Sequence, residues 1–266
     1  MSSVAYPTHW RPPPFLRTRT RQNLAIVAAI AYCIWAVAGL NIDPNRALAG
    51  FGRAWDLVAR MFPPDFARHE LLVKGMVESL QMALAATLAG LVLSVPLGIA
   101  AASNLAPRPV YLFARAVIVV GRTFHEIIIA IFFVKLFGFG PVAGLLTLAF
   151  ASMIFLAKML AEDIENVRAG PIEAMRATGA GFGQVVVYAI VPQVLSRATG
   201  VAIYRLDANV RHSTVIGIVG AGGIGQTLSA SFSRYDYDFA AAILLSIIAL
   251  VALGEWFSDW MRRRMR

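Results

Sequence analysis

Long apolar runs alternate with short polar segments along this sequence. Crossing a hydrocarbon core of roughly 30 Å takes about 20 helical residues, so runs near that length are candidate membrane spans. Six such runs occur, and one of them, Val185 to Leu206, is interrupted by Pro192 and carries Arg197. The pattern predicts an all-α membrane protein with about six transmembrane helices. The other runs are Leu24 to Leu40, Ser79 to Ala102, Arg115 to Phe137, Pro141 to Leu160 and Phe239 to Trp260.

The first run has features of both a signal peptide and a membrane helix. It ends in Ala36-Val37-Ala38, small residues of the kind found at signal cleavage sites. The basic region before it is long for a signal peptide and further spans follow, which favours an uncleaved first helix. Residues 1–23 hold arginines, a Pro12-Pro13-Pro14 run and no acid, so they predict a cytoplasmic N-terminal arm. We expect residues 24–266 to form a single transmembrane permease domain, because no internal repeat is visible.

Composition agrees with the hydropathy pattern. The chain is 58% hydrophobic and 15% charged, with a mean hydropathy of +0.67, which excludes an ordinary water-soluble domain. The net charge of +9 resembles that of nucleic-acid-binding proteins, but the basic residues cluster at the two ends and form no aromatic and basic platform. A single cysteine, Cys33, excludes an intrachain disulfide. With an even number of spans, the basic ends predict a multi-pass inner-membrane protein with both termini cytoplasmic.

Residues 41–77 contain an amphipathic pattern. Apolar and basic residues recur there at helical spacing on opposite faces, which predicts a helix lying on the outer membrane surface. Packing alone and contact with a partner protein are equally good explanations of this pattern. The apolar residues are Leu48, Phe51, Trp55, Val58 and Phe62, and the basic ones are Arg46, Arg53 and Arg60.

A charged segment at about 163–184 separates two apolar runs and is far longer than a turn. We expect a cytoplasmic loop whose centre is a short helix parallel to the membrane. Pro171 suits a first helical position, Glu173 suits the positive N-terminal end, and Gly179 ends the helix. Ala174 and Ala177 are small and let another protein approach the backbone closely.

This segment resembles the signature loop of bacterial ABC importer permeases, through Glu173-Ala174-Met175, then Gly179, and then Pro192. In that family the loop forms the coupling helix, which docks in a cleft on the cytoplasmic ATPase subunit and transmits its closure to the membrane helices. Met175 replaces the usual second alanine, and Ala189 stands where a large aliphatic residue is common. The resemblance implies an ABC type I importer permease fold and ATPase-coupling roles for Glu173, Ala174, Met175, Ala177, Thr178 and Gly179.

From about Leu71 to Leu253 the chain is similar to phosphonate importer permeases of the PhnE type. The residues that carry this likeness are Arg122-Thr123, Glu126, Gly138-Phe139-Gly140-Pro141, Tyr204-Arg205, Asn209-Val210-Arg211, Thr214-Val215-Ile216-Gly217 and Gly220-Ala221-Gly222-Gly223-Ile224-Gly225. The glycine cluster also resembles that of methionine importer permeases. The likeness implies the permease subunit of an ABC importer for phosphonates or similar phosphorus oxyanions, with ATP and Mg on a partner subunit. The implied partners are an ABC ATPase subunit, a periplasmic or extracellular phosphonate-binding protein, a second permease copy in a homodimer, and the lipid bilayer, with no nucleic acid.

Ionisable side chains inside a span are costly and face a cavity, a partner charge or water. If Arg205 and Arg211 face the pathway, they supply positive potential for an anion. The alternative is a structural ion pair of an arginine with Asp207 or Glu126. Arg122 and Glu126, one helical turn apart, are also candidates to pair with each other. The predicted pathway or gate residues are Arg122, Glu126, Arg205, Asn209, Arg211, His212, Ser213, Thr214, Gly220, Gly222, Gly223 and Gly225.

The glycines at 220, 222 and 225 formally match the dinucleotide-binding pattern G-x-G-x-x-G. We reject this interpretation, because that motif needs a strand, a helix and a following acid in a soluble βαβ unit. In a membrane helix bundle, glycines at this density permit either close packing alone or a bend in a gate that moves.

No sequence pattern supports catalysis within this chain. Its histidines are scattered, and it has neither a zinc-protease motif nor a phosphate-binding P-loop, so we expect no metal site and no enzyme activity of its own. Two alternatives to a phosphonate importer stay open at this point. One is the permease of a related importer for methionine, phosphate, phosphite or a sulfonate, and the other is an ATP-independent channel or secondary carrier.

Overall fold

The computed structural model describes residues 19–40 and 43–264, and all regular secondary structure within these ranges is helical. Most of the predicted N-terminal arm therefore lies outside the described residues. A π-helix, Val186–Ile190, joins α8 to α9. The α-helices are α1 (Arg19–Gly39), α2 (Pro44–Arg60), α3 (His69–Ala100), α4 (Arg108–Thr123), α5 (Glu126–Phe137), α6 (Pro141–Glu165), α7 (Ala169–Ala177), α8 (Phe182–Val185), α9 (Val191–Gly217), α10 (Gly223–Ser233) and α11 (Tyr237–Arg264).

The chain divides into two compact units, Met1–Ala59 and Arg60–Arg266. Within the first, α2 confirms the amphipathic helix predicted from the sequence. Its large apolar side chains, such as Phe51 and Trp55, are exposed. The placement of α2 on the outer membrane surface stays a prediction, as does the single permease domain over residues 24–266.

The structure confirms about six spans. Five helical segments in the described residues are long and apolar enough to cross a membrane, and the bent pair α4 and α5 makes a sixth if it is counted as one span. The apolar run from Arg115 to Phe137 is not one continuous helix, because α4 and α5 meet at 92°. Phe124 and His125 adopt extended backbone conformations between them. The His125 ring accepts a hydrogen bond from the Ile127 N–H, at 3.4 Å, and so caps the new helix.

The interruption at Pro192 changes the local helix type but does not end the span, which runs from Phe182 to Gly217. Pro192 lies in the first turn of α9 and has no N–H to donate to the preceding turn. The π-helix precedes it, and the Val191 N–H donates to the Val186 carbonyl five residues back. This wider turn joins α8 to α9 without ending the helix.

The centre of the second unit is built on α3 and α6, which pack along each other and against α9 and α10. Small residues let these backbones approach. A side chain at Gly90 of α3 would meet Ser152 of α6, and one at Gly98 would meet Leu160. Buried Met82, Leu148 and Ile216 fill the core between the helices. The close contact holds polar side chains of α3, α6 and α9 in the interior.

Candidate functional site

The helix predicted at the centre of the charged segment is present as α7, although it begins at Ala169 and so includes Gly170 and Pro171. It ends as predicted at Gly179, whose φ is +79°. The Gly179 N–H donates to the Arg176 carbonyl (3.0 Å), and the Ala180 N–H donates to the Met175 carbonyl (3.3 Å). These two bonds form a Schellman motif, which a glycine in the left-handed region permits.

One face of α7 is packed and the other is free. Ile172 packs against a buried cluster that includes Ile164, Ile190 and Val194, and Met175 is half-buried. The remaining residues of the predicted coupling set, Glu173, Ala174, Ala177 and Thr178, are exposed. The Thr178 hydroxyl donates to the Met175 carbonyl at 2.7 Å, so its polar group is already satisfied. The free face therefore has small side chains at its centre, which suits close contact with another protein.

Ion pairs tie the base of this segment to the neighbouring helices. Both Glu165 carboxylate oxygens lie 2.8 Å from Arg115 Nη2, which joins the end of α6 to α4. Glu165 also accepts the Ser103 N–H at 2.8 Å. Asp163, nearly buried, pairs with Arg197 of α9 at 2.9 Å. The sequence analysis missed these residues, although two carboxylates at the end of an apolar run were a usable signal.

A buried polar cluster lies where α3, α5, α6 and α9 meet, and we call it the polar cluster. At its centre Arg205, only 5% exposed, donates from Nη2 to Glu126 Oε1 at 2.8 Å and from Nε to Ser152 Oγ at 2.9 Å. Its guanidinium also faces the Phe155 ring, 5.5 Å from the centroid. The members of the polar cluster are Thr87, Glu126, Ser152, Arg205, Asn209 and His212.

Glu126 is shared between two partners. Its second oxygen lies 2.5 Å from Nδ1 of His212, while Arg205 holds the first. Asn209, fully buried, donates to Thr87 Oγ1 and Ser152 Oγ, both at 2.8 Å. Its Oδ1 is buried and has no hydrogen-bond partner in the described part of the chain. The cluster therefore compensates the Arg205 charge and links four helices.

The structural ion pairs considered as an alternative are present. Besides Arg205 and Glu126, Arg211 pairs with Asp207 at 3.2 Å and with Glu255 of α11 at 3.0 Å. The third candidate pair, Arg122 with Glu126, is not formed among the described residues. The bend between α4 and α5 removes the one-turn relation on which that pair depended, and Arg122 is exposed.

Two predicted pathway donors already donate within their own helix. The Ser213 hydroxyl donates to the Val210 carbonyl and the Thr214 hydroxyl to the Arg211 carbonyl, both at 2.7 Å. Both side chains are buried. Pathway roles for these and the other predicted gate residues stay predictions.

The glycine cluster forms a tight turn between α9 and α10. Gly140 donates its N–H to the Gly220 carbonyl at 3.0 Å, which ties this turn to the start of α6. Gly222 has a φ of +84°, and a side chain there would meet Pro141 and Glu78. A side chain at Gly225 would run into the Thr214 carbonyl. Positive φ and close packing thus account for the glycines at these two positions.

Replacing Gly225 with alanine should lower the thermal unfolding midpoint of the detergent-solubilised protein. The added methyl group overlaps backbone atoms of α9, and overpacking of this kind costs about 1–3 kcal/mol. Gly200, inside α9 with open space around its Cβ, provides the control. Gly200→Ala should leave the midpoint unchanged or raise it, because alanine is the better helix former. Equal effects at both positions would contradict the packing role.

A polar row on α3 was missed by the sequence analysis. Glu70, Lys74, Glu78 and Gln81 recur at helical spacing, and Glu78 Oε1 accepts the Gly223 N–H at 2.8 Å. The sequence carried a signal for this row, because its polar residues recur at helical spacing just before the apolar run at Ser79. The structure shows that α3 begins at His69 and includes them. The polar residues interrupt the apolar pattern without ending the helix.

Comparison with known proteins identifies the family. Residues 94–266 match the model of the "Binding-protein-dependent transport system inner membrane component". The "Phosphate-import permease protein PhnE" of Mycolicibacterium smegmatis is 38% identical over 89% of this chain, but the match spans only 45% of that protein. The "Phosphite transport system permease protein PtxC" of Stutzerimonas stutzeri is 38% identical over 92% of this chain and 89% of its own length.

Among solved structures, an inward-facing form of the MetNI methionine ABC transporter aligns with a TM-score of 0.65 and 26% identity, covering 76% of this chain and 99% of that one. An "amino acid ABC transporter with histidines" aligns with a TM-score of 0.61 and 18% identity, covering 74% of this chain and 95% of that one, which supports the fold alone. The all-helical bundle with α7 on one side thus has the fold of ABC importer permeases. On these matches, the chain belongs to the family of binding-protein-dependent transport system inner membrane components.

Proposed function

We propose that this chain is the permease subunit of an ABC importer for phosphonates or similar phosphorus oxyanions. The observation that carries the proposal is the group of relatives that cover most of this chain. Two phosphite-system permeases of Stutzerimonas stutzeri, PtxC and HtxC, are 38% and 33% identical over 92% of it. The Mycolicibacterium smegmatis relative is named for phosphate. A phosphorus oxyanion is the chemistry common to these names.

In this proposal the exposed face of α7 docks on an ABC ATPase subunit, which binds ATP and Mg. The small residues Ala174 and Ala177 allow close approach, and Glu173 beside them adds a charged contact. A second permease copy, in a homodimer, completes the pathway, and a periplasmic or extracellular binding protein delivers the substrate. Both termini lie in the cytoplasm, on the same side as α7.

The contacts below α7 provide a route for coupling. ATPase closure moves α7, which is packed through Ile172 on Ile164, Ile190 and Val194. The Arg168 N–H donates to Gln193 Oε1 at 3.0 Å, so the start of α7 is also tied directly to α9. The same α9 carries Arg205, Asn209 and His212 of the polar cluster. Movement at α7 therefore reaches the interior of the bundle through one continuous helix.

A methionine importer is the second candidate, because the MetNI structure aligns with 99% of its chain. The "Probable D-methionine transport system permease protein MetI" of Vibrio cholerae is only 24% identical to this chain, however. The phosphorus oxyanion relatives are closer in sequence, which favours the first candidate. An ATP-independent carrier is a third, weaker candidate, and it would leave the exposed face of α7 without a role.

The test is the ATPase activity of the complex reconstituted with its ATPase subunit and binding protein. We expect stimulation by binding protein loaded with methylphosphonate, phosphite or phosphate, and none with methionine. Gly179→Asp should abolish this stimulation, since it places a charge and a less suitable residue at a φ of +79° beside the docking face. Stimulation by methionine alone would transfer the protein to the second candidate, and transport without any ATPase would support the third.

A further inference from the structure

Two members of the polar row of α3, Lys74 and Glu78, line a cavity. Glu70, Lys74 and Glu78 are each separated by four residues, so they lie on one face of the helix, and Gln81 continues that face. The helix contains a candidate membrane span. Ionisable side chains in such a span face water, a cavity or a partner charge, because exposure to lipid is costly. This face of α3 is therefore suited to a water-filled space.

A cavity of about 360 Å³ is lined by the first turns of α3, by one side of α10 and by the start of α11. It is at the opposite end of α3 from α7: α3 begins here at His69, whereas Ala102, just past its other end, packs in the cluster beneath α7. The side chains that matter for binding are Arg68, Lys74, Gln226, Thr227, Arg234 and Asp236.

Two of the five charged side chains that line this cavity, Arg68 and Asp236, form an ion pair. Arg68 donates to Asp236 at 2.6 Å and lies over the Phe239 ring, 3.9 Å from its centroid. The hydrogen bond from Arg68 holds the pKa of Asp236 below its usual value, so this carboxylate stays ionised and its charge is compensated. The Glu78 carboxylate accepts the Gly223 N–H.

Two cations lining the cavity, Lys74 and Arg234, form no ion pair with any described residue. Lys74 has carboxylates one turn away on each side, and Arg234 lies near enough to Asp236 for its charge to help lower the pKa of that carboxyl. The cavity lining has Arg68, Lys74 and Arg234 against Glu78 and Asp236, a net excess of one positive charge. The Gln226 amide and the Thr227 hydroxyl add neutral donors from α10.

We infer that this cavity is a binding site for a phosphorus oxyanion on its way from the binding protein into the membrane pathway. Lys74 and Arg234 attract the anion, and Gln226 and Thr227 donate hydrogen bonds to its oxygens. The negative charge of Glu78 repels the anion, so binding is weak. The anion can therefore be released toward the pathway, as conduction requires. The inference rests on the proposed function, because the substrate class comes from it.

The first test is ligand-observed saturation-transfer NMR with methylphosphonate and the purified permease–ATPase complex, without binding protein. We expect a signal from the methyl group with the wild-type complex. Lys74→Gln and Arg234→Gln should each weaken binding by about tenfold, the effect of losing one charge-assisted contact. Lys74→Arg should retain the signal. Lys135→Gln, at an exposed lysine of α5 outside the cavity, is the control and should match the wild type. An equal signal from methionine, or full binding by both glutamine variants, would overturn the assignment.

Uptake into proteoliposomes separates this site from a contact with the binding protein. If the cavity binds the anion, Lys74→Gln lowers the maximal uptake rate and leaves the binding-protein concentration for half-maximal uptake unchanged. A raised half-maximal concentration with an unchanged maximal rate would assign Lys74 to protein docking and overturn the inference. A wild-type complex that imports only methionine would refute the proposed function, whereas wild-type phosphonate import unaffected by the cavity variants would refute only the cavity.

Discussion

Replacing Glu126 with alanine should lower the free energy of unfolding by about 3–5 kcal/mol, because it leaves a buried guanidinium without its compensating charge. Arg205 is only 5% exposed, and Glu126 is its sole ion-pair partner in the described residues. Arginine cannot lose its proton at any practical pH, so the charge stays in the interior. Denaturant unfolding of the detergent-solubilised protein, followed by circular dichroism, measures the loss.

The matched control is Asp207→Ala. Asp207 also pairs with an α9 arginine, but Arg211 has 49% of its side chain exposed and keeps Glu255 as a second partner. We expect a loss of about 1 kcal/mol or less there. Equal losses in the two variants would mean that burial does not decide the value of these pairs.

The double variant Glu126→Leu with Arg205→Met separates structure from transport. Replacing both members of a buried ion pair with apolar residues is often neutral for stability, so the double variant should recover most of the loss. If it folds and still imports substrate, the pair has a structural role alone. If it folds but does not import, the predicted pathway role of Glu126 and Arg205 gains direct support.

Features that depend on local pattern could be predicted from the sequence. The number of spans follows from the length and hydropathy of the runs. The end of α7 follows from Gly179, because the left-handed conformation that closes a helix is easily adopted only by glycine. The amphipathic faces of α2 follow from the spacing of its arginines and aromatic residues.

Features that depend on long-range contacts could not be predicted. Glu126 and Arg205 are 79 positions apart in the sequence, and only packing of α5 against α9 brings them together. The bend at Phe124 and His125 falls in a short polar interruption, Arg122 to Glu126, but the apolar segments on both sides made the whole read as one run. That bend also separates Arg122 from Glu126, so the pairing expected from one helical turn is lost.

The helix α7 and the polar cluster are connected through the span from Phe182 to Gly217. The span from Phe182 to Gly217 starts beside α7, passes through the π-helix and carries Arg205 at its buried centre. The helix α6 bears Ser152 of the polar cluster and carries Asp163 and Glu165 in its last turn. In the proposed mechanism, both helices that contact α7 therefore also hold the cluster. A change confined to the exposed face of α7 should therefore stop coupling without altering the interior.

Ala177→Trp is that change. An indole at the centre of the small exposed face prevents close approach of the ATPase subunit, so the affinity of assembly should fall by at least about tenfold, equivalent to about 1.4 kcal/mol. The unfolding midpoint should stay at the wild-type value, because the Ala177 side chain is exposed. Copurification of the ATPase subunit and its stimulated activity are the measurements.

Ala252→Trp, at an exposed alanine of α11, is the matched control and should assemble normally. Normal assembly and stimulation with Ala177→Trp would place the ATPase contact elsewhere on the chain, whereas loss in both variants would point to a general effect of the added tryptophan.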